Sequence, residues 1–179
     1  MSRRYAMTVD TRRCVGCNAC VLACKAENKL PEHGFRDWIV TETRGTFPHL
    51  RQEIRSERCN HCDSTPCVAA CPTGASHKDE GGTVLVDHDK CTGCKACIAA
   101  CPYSARYVHP DGYVDKCTFC LHRVKQGKQP ACVELCPTSA LSFGDLNDPE
   151  SPVSRLLHER ASKVVKPETG LRPNVRFLT

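Results

Sequence analysis

Short apolar runs separated by polar loops make up most of this chain. The runs at residues 5–9, 83–86, 106–108 and 140–143 predict β-strands, because each is three to five residues long and bounded by turn-forming residues. None approaches the roughly 18 apolar residues that predict a membrane helix. The pattern therefore predicts a protein of small strands and short helices.

Two stretches depart from this alternation. Within residues 29–58, the apolar run at 38–40 and the Glu-Ile pair at 53–54 predict short strands or an interface hairpin. In the tail, Ser-Pro-Val at 151–153 predicts a helix start, since proline favours the first helical turn. Residues 163–179 have few apolar positions and predict either an extended arm or a frayed terminus.

Cysteine dominates the composition: 16 of 179 residues, far above the usage of an ordinary soluble domain. The cysteines form four groups of four, which are Cys14, Cys17, Cys20 and Cys24; Cys59, Cys62, Cys67 and Cys71; Cys91, Cys94, Cys97 and Cys101; and Cys117, Cys120, Cys132 and Cys136. Zinc prefers separated C-x2-C pairs, and disulfide frameworks belong to short secreted chains. Groups one and three instead read C-x2-C-x2-C-x3-C, the run that binds [4Fe–4S] cubes.

The cysteine loops repeat with their surroundings. Residues 9–20 recur at 86–97, including Gly16 and Gly93, which permit a tight turn beside a cluster. A proline follows the fourth cysteine of groups two, three and four and ends the short helix there. Group one lacks it, so its helix is expected to continue to about residue 30. Strand, cysteine loop, short helix and strand form a ferredoxin half-unit.

Four half-units predict two two-cluster modules in an α+β fold. Groups two and three are adjacent, which leaves groups one and four to pair across them. We therefore expect two bacterial-ferredoxin-like modules, one inserted in the other, with extra docking segments. The expected boundaries are 1–28 plus 105–145 for the first module, 29–58 for an interface insertion, 59–104 for the inserted second module, and 146–179 for a C-terminal helix and extended docking tail.

Crossing of the fourth cysteine predicts how each cluster is held. In this motif three thiolates bind one cube and the fourth binds its neighbour. The predicted ligand sets are cluster A (Cys14, Cys17, Cys20 and Cys136), cluster B (Cys24, Cys117, Cys120 and Cys132), cluster C (Cys59, Cys62, Cys67 and Cys101) and cluster D (Cys71, Cys91, Cys94 and Cys97). We expect no further metal site and no catalytic residue, since no nucleophile–base pair or phosphate loop is found.

The formal net charge of +5 does not favour nucleic-acid binding. Sixteen thiolates and four oxidised cubes bring the loaded protein to about −3. Five basic residues beside the cysteines fit a role in neutralising the clusters, with solvation at the surface as the alternative for each one taken singly: Arg13, Arg58, Lys90, Lys95 and Lys116. No basic run with interleaved aromatic residues is present, so nucleic acid is not expected as a partner.

The order and gaps of the four groups resemble the four-cluster β-subunits of molybdopterin oxidoreductases. Group two has a four-residue gap and group four an eleven-residue gap, and residues 117–132, 143–146 and 148–152 resemble the polysulfide/thiosulfate reductase type most. This resemblance implies a non-catalytic subunit that relays electrons through four [4Fe–4S] clusters. Its implied partners are a molybdopterin-containing catalytic subunit and a membrane-anchor, quinone-reactive subunit, in respiratory conversion of a sulfur or related oxyanion compound.

The resemblance also implies a location. The polar tail predicts no transmembrane helix in this chain, so any anchor would be a separate chain. Such subunits cross the membrane with a signal-bearing partner, which implies the outer, periplasmic face of the cytoplasmic membrane; the cytoplasmic face is the alternative. Two other functions remain open at this point: a free-standing soluble polyferredoxin, and a colourless zinc-structured interaction module.

Overall fold

The computed structural model describes residues 3–179; Met1 and Ser2 of the expected first module lie outside the described residues. The strands are β1 Tyr5–Asp10, β2 Asp37–Thr46, β3 His49–Arg58, β4 Ser76–Lys78, β5 Val84–Val86, β6 Tyr107–Val108, β7 Val114–Asp115, β8 Leu141–Asp145, β9 Ser162–Lys163 and β10 Val175–Leu178. The helices are α1 Ala19–Asn28, α2 Pro66–Ala69, α3 Ala96–Ala99, α4 Leu121–Val124, α5 Ala131–Glu134 and α6 Pro152–Glu159, with a 3-10 turn at Pro167–Thr169. This is a small α+β protein, as expected.

A four-stranded sheet forms the structural centre, in the order β8-β1-β10-β9. β1 pairs with β8 antiparallel and with β10 parallel. Ala6, Met7 and Val9 are fully buried, because β1 is covered on both faces. The strands predicted at 5–9 and 140–143 are confirmed to within two residues.

The C-terminal tail is not a frayed terminus, because residues 175–178 form strand β10. Its expected role as an extended docking tail stays a prediction. β10 lies between β1 and β9, and Val175, Phe177 and Leu178 are almost completely buried. The sequence did not reveal this because a run of four residues, three of them apolar, carries a weak strand signal. Pairing with β1, which is remote in sequence, supplies the missing stability.

Residues 29–58 are dominated by a hairpin longer than the sequence predicted. β2 and β3 pair over ten residues each, from Asp37 opposite Arg58 to Thr46 opposite His49. The base of the hairpin is buried, whereas Phe47 at its tip is 88% exposed. The outer half alternates charges of both signs, so it lacks the apolar alternation by which strands are recognised.

The two remaining sheets are short hairpins, β4–β5 and β6–β7. They contain the strands predicted at 83–86 and 106–108, each one residue shorter than expected. α1 ends at Asn28, where Lys29 adopts a left-handed conformation, close to the predicted end. Gly16 and Gly93 both have positive φ (69° and 65°), which confirms the predicted tight turns.

Candidate iron–sulfur sites

The cysteines differ in their exposure to solvent. All four thiols of the predicted cluster B set are buried. The cluster C set has two buried and two half-buried thiols. The sets of clusters A and D each contain one exposed cysteine, Cys17 and Cys94. The structure thus encloses two sets and brings the other two to the surface.

The first enclosed cavity lies between α1, the base of the β2–β3 hairpin and α5. Four cysteines line it, Cys24, Cys117, Cys120 and Cys132, together with Arg36 and Arg58. They come from distant parts of the sequence, because packing of α1 against α5 brings group one next to group four. The cavity therefore assembles the residues expected for cluster B.

The second enclosed cavity is built on α2 and the segment before β6. Its lining includes Cys59, Cys62, Cys67 and Cys101, with Tyr103 and Arg106. These four cysteines are the set expected for cluster C. Tyr103 is 8% exposed and closes one wall with its ring.

The remaining eight cysteines lie nearer the surface. Cys14 is in electrostatic contact with Cys17 and Cys136, which belong to the same expected set. Cys20 is buried, and its Sγ lies 3.4 Å from Ser56 Oγ. In the set expected for cluster D, Cys97 is buried on α3. Helix α3 packs against α2, and Cys71 of the same set follows shortly after the end of α2.

Backbone amides point at several sulfur atoms. The amides of Ser76 and Ala140 each donate to the thiol of the preceding fourth cysteine, Cys71 or Cys136, at 3.3 Å. The C-P-x-x-A repeat places these amides, because proline ends the helix and turns the backbone back over the sulfur. Hydrogen bonds of this kind stabilise anionic sulfur, as a cluster ligand requires.

Threonine hydroxyl groups also lie within hydrogen-bonding distance of the sulfur atoms of these two cysteines. Thr73 and Thr138 lie 3.7 Å from the sulfur atoms of Cys71 and Cys136. Burial alone raises the pKa of the Cys136 thiol, but the bonds from Thr138 and Ala140 outweigh it and the pKa is lowered. The pKa of Cys71 is likewise lowered, by the Ser76 amide and Thr73 against its burial.

The enclosed thiols behave in the opposite way. Burial raises the pKa of Cys62, Cys117 and Cys132 to about 12, and raises that of Cys24 further. Without a metal these thiols hold their protons at neutral pH. Iron binding must therefore release protons from the protein interior, and the thiolate charge must be balanced locally.

Three buried cations provide this balance. Arg58, Lys116 and Arg106 are buried, and Arg58 Nη1 donates to Cys132 Sγ at 3.0 Å. Within residues 3–179, Arg58 Nε and two guanidinium nitrogens of Arg106 have no hydrogen-bond partner. A buried cation with unpaired donors is unfavourable unless an anion lies beside it. Thiolate-ligated iron–sulfur clusters, which carry net negative charge, fit these sites.

The sequence identified two of these cations and missed the third. Arg58 and Lys116 are buried, as a charge-neutralising role requires, whereas Arg13, Lys90 and Lys95 are exposed to solvent, which agrees with the alternative of surface solvation. Arg106 was missed because it is not adjacent to a cysteine in sequence. The only signal for it was a charged residue in an otherwise apolar strand.

The two histidines within cysteine groups have other partners. His61 is buried, stacks on Phe119 with ring centroids 3.8 Å apart, and accepts a hydrogen bond from the Val84 amide. His122 Nε2 lies 2.7 Å from a carboxylate oxygen of Glu27 at the surface.

Within residues 3–179, no helix combines the length and apolar character needed to cross a membrane.

Comparison with known proteins identifies the cysteine-bearing folds. Two models described as 4Fe-4S dicluster domains match the chain, one over residues 13–75 and the other over residues 50–146. Two dicluster domains and sixteen cysteines correspond to four [4Fe–4S] clusters.

The chain is also similar over nearly its whole length to curated proteins. It is 43% identical over 180 residues to a tetrathionate reductase subunit of Salmonella typhimurium, covering 98% of this chain and 72% of the relative. It is 42% identical over 179 residues to a polysulfide reductase chain of Wolinella succinogenes (98% and 94% covered). It is 49% identical over 177 residues to the NrfC homolog of Haemophilus influenzae (97% and 79% covered). With its two dicluster domains, this protein therefore belongs to the four-cluster iron–sulfur subunits of the molybdopterin oxidoreductases, which transfer electrons and are not themselves catalytic.

Proposed function

We propose that this chain conducts electrons between a molybdopterin catalytic subunit and a membrane-anchored, quinone-reactive subunit. The observation that carries the proposal is the burial gradient of the cysteines: the sets of clusters B and C are enclosed, while those of A and D each include an exposed thiol. An electron-transfer chain needs inner clusters that are shielded from solvent and terminal clusters that lie close to its partners. A soluble polyferredoxin is the alternative.

The ligand sets of the proposal are those predicted from the cysteine spacing. The two enclosed cavities support sets B and C, since each is lined by all four expected thiols. The contact of Cys14 with Cys136 supports set A. Packing of α2 on α3 supports set D, because Cys71 follows α2 and Cys97 lies on α3. Bound clusters supply the one-electron redox chemistry, and the chain holds them, balances their charge and excludes water.

The module boundaries of the proposal are also those predicted from the sequence. The first module joins 1–28 to 105–145, and the second, 59–104, is inserted between them. Pairing of β1 with β8 supports the first module, because it connects the strand before group one to the strand after group four. Pairing of β4 with β5 within 59–104 supports the second.

The proposed order of the clusters is A, B, C and D. Cys117 of set B lies within electrostatic range of Cys59 of set C, which makes these two sets neighbours across the module boundary. Clusters A and D then lie at the ends. Electrons enter at one exposed end and leave at the other, one at a time.

The names of the relatives support the proposed partners, and the proposed location is the one that the family resemblance implies. The Salmonella and Wolinella relatives are parts of reductases named for tetrathionate and polysulfide, so the proposed complex converts a sulfur compound or a related oxyanion. The exposed tip of the β2–β3 hairpin, with Phe47 and Leu50, is a suitable docking element. We place the protein at the periplasmic face of the membrane, carried there by a signal-bearing catalytic partner.

Metal analysis and two cysteine variants test the ligand sets. The anaerobically purified chain should contain about sixteen iron and sixteen acid-labile sulfide, by the rule of four irons per four cysteines. Cys24→Ser should then disturb cluster B and Cys136→Ser cluster A, giving changes in two different components of the electron paramagnetic resonance (EPR) spectrum. Loss of the same component in both variants would show that the crossover assignment is wrong.

Reconstitution decides between the complex and the free carrier. Co-expression with a molybdopterin catalytic subunit should yield a complex that reduces or oxidises a sulfur oxyanion with a quinone analogue. A loaded chain that remains monomeric in the presence of such partners would favour the polyferredoxin.

A further inference from the structure

Arg58 lies at the boundary between the proposed clusters A and B. It is in electrostatic contact with Cys20 of set A and with Cys117 and Cys132 of set B. Its Nη2 also lies 3.1 Å from a carboxylate oxygen of Asp37, which is itself buried. The positive charge at this boundary is therefore offset by a negative one.

Lys116 lies at the boundary between clusters B and C. It is 1% exposed and in electrostatic contact with Cys117 of set B and with Cys59 and Cys67 of set C. Its ammonium donates to the backbone oxygens of Val84 and Cys117. Within residues 3–179 it forms no salt bridge with a carboxylate, so its charge is not offset by the protein.

Arg106 lies at the boundary between clusters C and D. It lines the enclosed cavity of set C and contacts Cys59 and Cys67 there, while also facing Cys97 of set D. Nη2 donates to Ser76 Oγ at 2.9 Å. Within the described residues Nε and Nη1 have no oxygen or nitrogen partner and are left to the cysteine sulfur atoms, and Arg106 forms no salt bridge with a carboxylate.

We propose that each step between consecutive clusters contains one buried cation, and that Lys116 and Arg106 together raise the reduction potential of cluster C, which lies between them. This inference rests on the ligand sets of the proposed function and extends them to residues that bind no iron. The three cations are positioning residues for electron transfer, since they act on the clusters through their charge.

The physical reason is the change in cluster charge on reduction. A cube with four thiolates gains one negative charge when it accepts an electron. A fixed cation nearby stabilises this reduced form, and the effect is strong where burial keeps the local dielectric constant low. Cluster C faces two unbalanced cations, clusters B and D each face one, and Asp37 offsets Arg58 between clusters A and B.

An EPR-monitored redox titration of the loaded chain tests the pattern. Arg106→Gln should lower the potentials of clusters C and D, and Lys116→Met those of clusters B and C. The EPR component whose reduction potential falls in both variants should be the component that Cys101→Ser alters. We expect at least a tenfold change in the ratio of reduced to oxidised cluster C at fixed potential, which is about 59 mV for one electron.

A variant that raises reduction potentials provides an independent test, which stays valid even if the other variants fold poorly. Asp37→Asn keeps the side-chain shape but removes the offsetting charge, so the potentials of clusters A and B should rise. Lys116→Arg and Arg106→Lys keep the charge and should restore the potential of cluster C. The matched controls are exposed residues, Lys125→Met and Arg155→Gln, and should leave all four potentials unchanged.

Contrary outcomes are distinct. Unchanged potentials in Arg106→Gln or Asp37→Asn at full iron content would overturn this inference and leave the proposed function intact. A shift confined to clusters A and B in Arg106→Gln would overturn it in the same way. A wild-type chain without four one-electron components would overturn the proposed function, and this inference with it.

Discussion

Single residues determine where a cluster loop can form. Gly16 and Gly93 occupy equivalent positions in the repeat and both have positive φ. Their surroundings differ, however. A Cβ on Gly93 would lie 2.2 Å from the backbone oxygen of Gly112, whereas one on Gly16 would lie 3.1 Å from the side chain of Ile54. A side chain can move aside, but a hairpin backbone cannot without losing its pairing.

Alanine substitution at the two glycines should therefore have unequal effects. Gly16→Ala should destabilise the loaded protein by about 1–2 kcal/mol, the cost of a left-handed conformation for a residue with a Cβ. Gly93→Ala adds a backbone clash and should also reduce the iron content by about one cluster. Anaerobic thermal unfolding and iron analysis measure both. Equal losses in the two variants would contradict the assigned contacts.

At the scale of elements, the β2–β3 hairpin depends on a buried arginine. Arg55 is 6% exposed and donates to Glu42 and Glu57 at 2.6 Å and to Glu53 at 3.1 Å. The pair with Glu42 connects β3 to β2, whereas Glu53 and Glu57 lie on β3 with Arg55 and balance its charge where few apolar side chains are available. The hairpin is thus stabilised by charge pairs, which explains why its sequence gives a weak strand signal.

Arg55→Met should lower the free energy of unfolding by about 2 kcal/mol, the usual contribution of charged hydrogen bonds. Arg44→Met is the matched control, because Arg44 contacts Glu42 with a side chain that is 72% exposed. Anaerobic thermal unfolding compares the two variants. A loss in Arg44→Met as large as that in Arg55→Met would show that the buried position does not matter.

The pH dependence of this difference is set by Glu42. Hydrogen bonds from Arg55 and Arg44 lower the pKa of Glu42 to about 2. A lowered carboxylate pKa gives stability that is complete above the ordinary pKa and is lost as the pH falls through the lowered one. The difference between wild type and Arg55→Met should thus be constant from about pH 8 to about pH 6. Unfolding measured across this range should show no trend, and a marked decline would contradict the assigned ion pairs.

Helix α6 begins at a cap that the sequence indicated. Ser151 Oγ accepts a hydrogen bond from the Ser154 amide at 3.2 Å and donates to the Asp145 carbonyl oxygen at 2.6 Å. Ser151→Ala should lower stability by about 1–2 kcal/mol, because both bonds are lost at a buried site. Ser151→Thr retains the hydroxyl and should recover most of it in the same unfolding measurement. Equal stability of Ser151→Ala and Ser151→Thr would show that the hydroxyl cap does not contribute to stability.

At the scale of the whole molecule, the last strand completes the central sheet. Phe177 on β10 is 1% exposed and packs in the same core as Met7, Phe143 and several cysteines. The fold therefore requires residues 5–10 and residues 175–178 together, since β1 and β10 pair in parallel. A small domain with few aromatic residues depends on such long-range contacts and on its clusters for stability.

Phe177→Ala should lower stability by about 3–5 kcal/mol, as expected for a large side chain removed from a core. Phe47→Ala removes the same group from the exposed hairpin tip and should change stability by less than about 0.5 kcal/mol. Anaerobic unfolding of the two variants at equal iron content distinguishes them. A small effect at Phe177 would contradict the burial of β10.

Local sequence is enough to establish the iron–sulfur chemistry, the repeat, the turns at Gly16 and Gly93, and the strands that flank the cysteine loops. These features depend on local spacing: a thiolate run fits a cube, glycine permits positive φ, and proline ends a helix. Three other features emerge only from the folded chain: β10 lies beside β1, the hairpin continues to ten pairs, and Arg106 lines the cavity of Cys59, Cys62, Cys67 and Cys101. The first and third join residues distant in sequence, while the hairpin pairs adjacent strands whose charged outer half lacks apolar alternation. Their stability comes from burial and charge pairing that no local pattern records.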